Sequence, residues 1–304
     1  MRTTALGLLL ALSPVFAQQP APSVVTGVGY SRPSAVKVAP GQIITLFVRT
    51  AQRFEQPRIA SSGSPLPLSL EGISVALQQT FAEKPIPVPI LSLKPVQYCA
   101  AVRDVICAFN TAITVQIPFE LIPNVSDSRL LENFATLTVT ENEVSGDPIM
   151  LDAGNDRVHV LNSCDISYER TEGNCTPVIK HADGTLVTSD KPAHADEVLT
   201  LQAYGLGKPG APVSTGSVSP SPAIPVPDVT IAFRFGTTPA IVRPAKDSAP
   251  LSAGLAPGSV GLYEITFRVP GLPGGTPACS SITTNVTVSV GRGASFDGAG
   301  FCVE

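Results

Sequence analysis

Between residues 262 and 269 the chain alternates Leu262, Glu264, Thr266 and Arg268 with Tyr263, Ile265, Phe267 and Val269. A period of two predicts a strand with one apolar face on a core. Pro270 cannot donate to a ladder and closes it. A shorter run of the same kind, 112–117, ends at Pro118. Further runs predict strands at 42–48, 70–77, 135–140, 197–204 and 229–235, with short pieces at 158–161 and 240–242. The stretch 284–290 reads as the last regular strand. Prolines at 87 and 89 limit 86–93 to an edge or irregular strand. Residues 94–110 read as a loop, and 124–132 as polar with room for one helical turn. Scattered charges and prolines make 49–67 a long loop. The Pro, Ser and Gly of 208–227 predict a second, exposed one.

The runs recur in the same order in both halves. Ile44-Thr-Leu46 matches Leu199-Thr-Leu201, Ile73–Leu77 matches Val229–Phe233, and Ile117-Pro118 matches Val269-Pro270, at a nearly constant offset. The period is too long for a solenoid repeat or one propeller blade. Two units of this size, with about seven short strands each, predict an all-β protein of two tandem immunoglobulin-like β-sandwich domains. Their bounds are 36–163 and 164–304, after a flexible leader at 18–35. Trp is absent and the cysteines lack the spacing of an inter-sheet bridge, so antibody-type domains are excluded in detail.

Composition changes this picture in two ways. Charged residues are 14% of 304, and 20 basic residues face 24 acidic ones without a dense basic run. Nucleic-acid binding, which needs a clustered positive surface, is thereby disfavoured. The N-terminus reads as a secretory signal over 1–17. Arg2 supplies its charge, 5–12 its apolar stretch, and Val15-Phe-Ala17 the cleavage site before Gln18. The apolar run is short for a membrane span, and no later stretch is long enough. The expected location is therefore secreted, periplasmic or cell-surface.

Six cysteines agree with export: Cys99, Cys107, Cys164, Cys175, Cys279 and Cys302. They allow 15 pairings. The simplest is sequence-local: Cys99–Cys107, Cys164–Cys175 and Cys279–Cys302. A metal site is the competing reading, but the spacings lack a zinc-ligand pattern.

Several pieces resemble a known family. They are Val38-Ala-Pro-Gly41, Pro65-Leu-Pro-Leu68 before Glu71-Gly-Ile-Ser-Val75, and Thr114-Val-Gln-Ile-Pro118. In the second half they are Ala182-Asp-Gly-Thr185, Tyr204-Gly-Leu-Gly207, Gly254-Leu-Ala-Pro-Gly258 and Val269-Pro270. Together they resemble the Solibacter-type uncharacterised C-terminal domain, found in many exported acidobacterial proteins. That family usually has Gln-Ile/Val-Asn in its closing strands. This chain has Ala112-Ile-Thr114 and Tyr263-Glu-Ile-Thr266 instead and is a divergent match. The resemblance implies secretion and immunoglobulin-like β-structure, and no established activity.

Candidate chemistry is sparse. Ser295 falls in Gly293-Ala-Ser-Phe-Asp297, one residue short of a nucleophile elbow and without its strand-turn-helix context; a serine in the tail is the bland alternative. His159 reads as a packed histidine rather than a base, and His181 and His194 as solvated. Asp152, Asn155 and Asp156 offer oxygen ligands but lack the spacing of a calcium loop. Tyr263 reads as core. No catalytic residue, cofactor or metal is assigned. The expected function is an exported non-enzymatic adhesion, envelope or matrix interaction module, contacting an extracellular protein or polysaccharide through 49–67 and 208–227. The alternative is an accessory carbohydrate-binding protein; a cryptic hydrolase using Ser295, and assembly with other envelope proteins, are weaker readings.

Overall fold

The computed structural model describes residues 24–28, 36–60, 64–102, 104–124, 135–167, 175–238, 240–245 and 248–304. The signal segment and almost all of the expected helical turn at 124–132 lie outside them. The first half forms β1 (Val24–Val28), β2 (Val36–Val38), β3 (Ile43–Arg49), β4 (Arg58–Ile59), β5 (Ser69–Leu70), β6 (Ile73–Gln79), β7 (Ile86–Pro87), β8 (Ile90–Val102), β9 (Asp104–Gln116), β10 (Ala135–Glu141), β11 (Val144–Ser145) and β12 (Ile149–Ala153). The second forms β13 (His159–Val160), a short helix α1 (Ser163–Ser167), β14 (Ile179–Lys180), β15 (Val198–Tyr204), β16 (Thr230–Phe235), β17 (Ser252–Leu255), β18 (Tyr263–Arg268), β19 (Val286–Arg292) and β20 (Ser295–Phe301). The protein is nearly all β.

In the first half one sheet runs β1-β3-β9-β8-β4 and another β2-β12-β10-β6-β5. In the second, β13-β15-β18-β17 is one sheet and β16-β19-β20 another. Alternation translates directly into burial. β6 and β10 bury every second residue, and β18 buries Tyr263, Ile265 and Phe267 while Arg268 is exposed. Inward residues from Val36 to Ala153 form one apolar cluster. Those from Val158 to Val303 form a second, which one residue of the first half, Phe119, also enters. Val158 and Val160, on the first-domain side of the expected boundary at 163/164, pack in that second cluster.

The short piece expected at 240–242 is irregular rather than a strand, and four larger expectations need correction. The leader at 18–35 contains β1, whose residues pair with β3 across a register shift between Val25 and Gly27. The loop at 94–110 is two strands: β8 and β9 pair residue by residue from Leu93–Ile113 to Val102–Asp104. Pro95 hid this hairpin, but a proline is tolerated where its strand is a sheet edge. The tail after 290 forms β20, which pairs with β19 from Val286–Phe301 to Arg292–Ser295. A Cβ at Gly298 would lie 2.6 Å from the Val288 carbonyl oxygen. Glycine here admits a close neighbouring backbone.

The fourth correction concerns 208–227, which is not a free loop. Gly210 N donates to Pro225 O, Ser219 N to Ser259 O, and Val226 N to Ala253 O; Ser219 and Val226 are buried. The loop also clasps the first half. Leu66 N donates to Gly216 O (2.8 Å), Gly216 N to Gln116 Oε1 (2.6 Å), and Phe119 N to Thr215 Oγ1 (2.9 Å). Thr215 Oγ1 in turn donates to Glu120 Oε2 at 2.6 Å. Beside this clasp the Phe119 ring occupies the space a side chain at Gly41 would need. Gly41 has φ of 76°, so glycine is required there on two counts.

Cys164 is bonded to Cys175, and Cys279 to Cys302. The first ties α1 to the segment before β14, and the second ties the approach to β19 to the end of β20. The backbone register sets Cys99 opposite Cys107, whose side chains lie outside the described residues. Among the described residues no helix is long and apolar enough to cross a membrane.

Truncating a buried Phe costs about 3–5 kcal/mol. Phe119→Ala should therefore destabilise the chain by about that amount in guanidinium unfolding. Because the ring sits in the second cluster, amide protection in β15 and β18 should fall although the substitution is in the first half. Loss of protection confined to 36–153 would refute this coupling.

Candidate functional site

The first half departs from a plain sandwich at the β8–β9 hairpin. Each of its strands has 13 residues, against seven in the facing β6 and β10. β3 pairs with β9 only as far as Val48–Thr111, and β4 covers only Ser92 and Leu93 of β8. Beyond that point the two strands pair only with each other, as an arm of about 25 Å at ~3.3 Å per residue.

Leu93 and Ile113 face each other in the core. The next positions on that face, Pro95 and Gln97 on β8 with Thr111 and Phe109 on β9, run past the end of the facing sheet. Thr111 stays buried, while Pro95, Gln97 and Phe109 are exposed. The turn 50–55 lies along them. Together they enclose an open groove of about 930 Å³ whose lining includes Arg49, Gln52, Arg53, Gln97, Phe109 and Asn110.

Glu141 fixes the turn. It ends β10 on the inward face, after Ala135, Leu137 and Val139, and is only 4% exposed. Its Oε2 accepts from Ala51 N (2.9 Å) and its Oε1 from Gln52 N (2.8 Å). A carboxylate accepting two backbone N–H groups makes charge-assisted bonds, stronger than neutral ones. Thr50 Oγ1 donates to Gln52 O (2.6 Å) and shares a bond with Thr111 Oγ1 (2.9 Å). Phe54 is buried beneath, closing the core. Over the groove the Arg53 guanidinium stands 4.7 Å from the centre of the Phe109 ring, a cation–π contact. Among the described residues neither Arg49 nor Arg53 has a carboxylate partner.

The candidates read from sequence lie elsewhere; Ser295 and Asp156 are brought together, whereas Asp152, His159, His181 and His194 bond to other partners. His159 Nε2 donates to Asp165 Oδ2 (2.9 Å), and its Nδ1 faces Asp297 Oδ2 at 3.3 Å. Burial alone would lower the His159 pKa. The hydrogen bonds and charges of Asp165 and Asp297 outweigh it and raise the pKa to about 9. Burial likewise opposes ionisation of Asp297, but the bonds from His159, Val160 N and Gly298 N bring it below the usual carboxylate range. His159 is thus an imidazolium with both N–H groups donated and no lone pair for a base. Asp165 also accepts from Asn162 N, while Asn162 Oδ1 accepts from Cys164 N and Asp165 N, a capping box that starts α1.

Ser295 Oγ donates to Asp156 Oδ2 (2.7 Å) and accepts from Val158 N (2.8 Å), so its hydroxyl joins strand ends and meets no histidine. Asp156 also receives Ser295 N and Ala294 N, whereas Asp152 binds Asn124 Nδ2 and pairs loosely with Lys37. The two aspartates therefore serve different partners. His181 is buried rather than solvated. Its Nδ1 meets Glu197 Oε1 at 2.5 Å and its Nε2 meets Lys191 O at 3.2 Å. His194 is exposed, and its backbone N donates to Glu197 Oε2. Tyr263 is fully buried, its hydroxyl donating to Gly207 O at 2.6 Å.

The sequence reading missed Glu141, Arg53 and Phe109. The signal for Glu141 was present: a carboxylate at an apolar-phase position of an alternating strand must find partners or stay unburied. Arg53 and Phe109 are distant in sequence and carry no such signal. No protein-family model matches the chain, and no curated protein matches it.

Two measurements test this geometry. The folded pKa of His159 lies above its ordinary 6.5. Its contribution is therefore complete below about pH 6.5 and lost as pH rises through 9. At 1.36 kcal/mol per pKa unit this is on the order of a few kcal/mol. The melting temperature of His159→Gln should lie below wild type at pH 6 and approach it by pH 10; a constant gap would contradict the charged clamp. Glu141→Ala strands two N–H groups and should cost about 1–3 kcal/mol. Hydrogen exchange at Ala51 and Gln52 should accelerate, and unchanged exchange would show the turn held by something else.

Proposed function

We propose that the chain is an exported, non-enzymatic recognition module of two tandem immunoglobulin-like β-sandwiches, acting at the cell envelope or matrix. Corresponding strand orders support the tandem reading. In the first half β1-β3-β9-β8 is the counterpart of β13-β15-β18-β17 in the second, and β12-β10-β6 that of β20-β19-β16. The correspondence agrees with the matched sequence runs and with the resemblance to the exported acidobacterial domain family. Two disulfides fit an oxidising compartment.

One observation carries the choice of surface. Within this shared plan β8 and β9 have 13 residues each, where β17 has four and β18 six. A sandwich needs no such extension to close its core. Its groove lies against 50–55, inside the loop expected to make contacts, whereas 208–227 holds the two halves together. Rigid scaffolds characteristically carry binding on such elaborations. The amides of Gln52, Gln97 and Asn110 in its wall favour a second reading, an accessory carbohydrate-binding protein.

Crosslinking on intact cells tests the surface. Gln97→Trp places an indole in the groove at an exposed position and leaves the core intact. Wild type should crosslink to an envelope component that this variant loses, at equal melting temperature. Equal capture by both would exclude the groove as the contact surface.

A further inference from the structure

Resting on the reading of this groove as a contact surface, we propose that its ligand is an acidic polysaccharide, a uronate-type chain whose carboxylates are held by Arg49 and Arg53. The protein has a net charge of -4, yet the groove lining includes Arg49 and Arg53, four residues apart in sequence and without a carboxylate partner among the described residues. Across from them the wall carries no acid, and Glu55 stands alone at the end of the turn. A guanidinium offers a planar fork of donors that matches a carboxylate with two parallel bonds. Stacking on Phe109 restricts Arg53 before any ligand arrives, and Glu141 fixes the backbone that carries it. Preorganisation of this kind lowers the ordering cost of binding.

The rest of the wall selects the polymer. Gln52, Gln97 and Asn110 present uncharged amides, which donate to and accept from sugar hydroxyls. The groove is open to solvent, and its 930 Å³ lies near the upper end of the range of about 300–1,000 Å³ for small-ligand sites. That suits several linked units better than one enclosed molecule. An acidic peptide is less well served. It would bind by adding a strand to the free edge of β8, and Pro95 has no N–H to offer there.

Calorimetric titration of the full chain with sodium polygalacturonate at low salt tests the proposal, with dextran as neutral polymer and poly-L-glutamate as acidic peptide. Wild type should bind polygalacturonate, weaken as salt is raised, and ignore dextran. Arg49→Gln with Arg53→Gln should weaken binding by about tenfold or more at unchanged melting temperature. Arg49→Gln alone, which leaves the Phe109 stack in place, should show part of that loss. No binding by wild type, or equal binding by the double variant, would overturn the proposal. So would poly-L-glutamate binding as tightly as polygalacturonate, which would make the ligand an acidic protein surface. Crosslinking separates the two levels. Capture lost in Gln97→Trp but kept in the double arginine variant leaves the groove as contact surface and removes the uronate. Capture kept in Gln97→Trp removes the surface itself.

Discussion

Phe119 lies on the chain of the first half and in the core of the second. That placement governs how the two halves meet. A ring buried in the second cluster must be delivered by a backbone that leaves β9 close to the other half. Gly41 makes room for the ring, and the carbonyl of Gly41 sits where Gly261 can have no side chain. The backbone N–H of Phe119 is then beside solvent-excluded surface and needs an acceptor, which Thr215 supplies. One apolar side chain thus dictates a glycine on each side of the joint and the docking of 208–227. A fixed joint has a consequence for recognition: a ligand on one half meets a body of both halves, with no hinge at which binding energy would be lost to ordering.

The length mismatch between β8–β9 and the facing β6 and β10 is the second constraint. An alternating strand that outruns its partner sheet exposes the continuation of its inner face. Water must then replace the missing layer or another segment must cover it. Here the turn 50–55 covers part, and the rest is a groove. Glu141 shows how the cover is held. It occupies the last inward position of β10, where the core ends and backbone N–H groups begin. A carboxylate there is tolerable only because both oxygens are bonded.

Where the chain obeys a short period, its sequence was sufficient. β6, β10, β15 and β18 could be placed from their own residues, because burial of one face is a local pattern. Cys164–Cys175 and Cys279–Cys302 followed from proximity in sequence. The failures share a cause. β1, β20 and the β8–β9 hairpin are held by register with a neighbour, and their Gly, Pro and Ala content conceals that pairing. The loop 208–227 was misread because Pro, Ser and Gly report turns, and turns can pack as well as hang free. His181 was misread because an ionisable residue is buried only with its partner, and Glu197 lies 16 residues away. The groove was legible only in part. A loop beginning at 49 could be read, whereas the pairing of Arg53 with Phe109 depends on two segments meeting.

The distribution of satisfied and unsatisfied polar groups then separates structure from recognition. His159, Asp165 and Asp297 close on one another, Ser295 closes on Asp156 and Val158, and His181 closes on Glu197 and Lys191. Each of these groups could do chemistry in another setting, and each is committed to fixing a strand end. A proton acceptor that is already an imidazolium, and a hydroxyl that already donates to a carboxylate, have little left to offer a substrate. Arg49 and Arg53 differ in kind. They are cationic, exposed and without a carboxylate partner among the described residues; Arg49 ends β3, and Arg53 stands on the turn that buried Glu141 holds. Guanidinium groups placed in this way suit an anionic ligand, because their donors match a carboxylate.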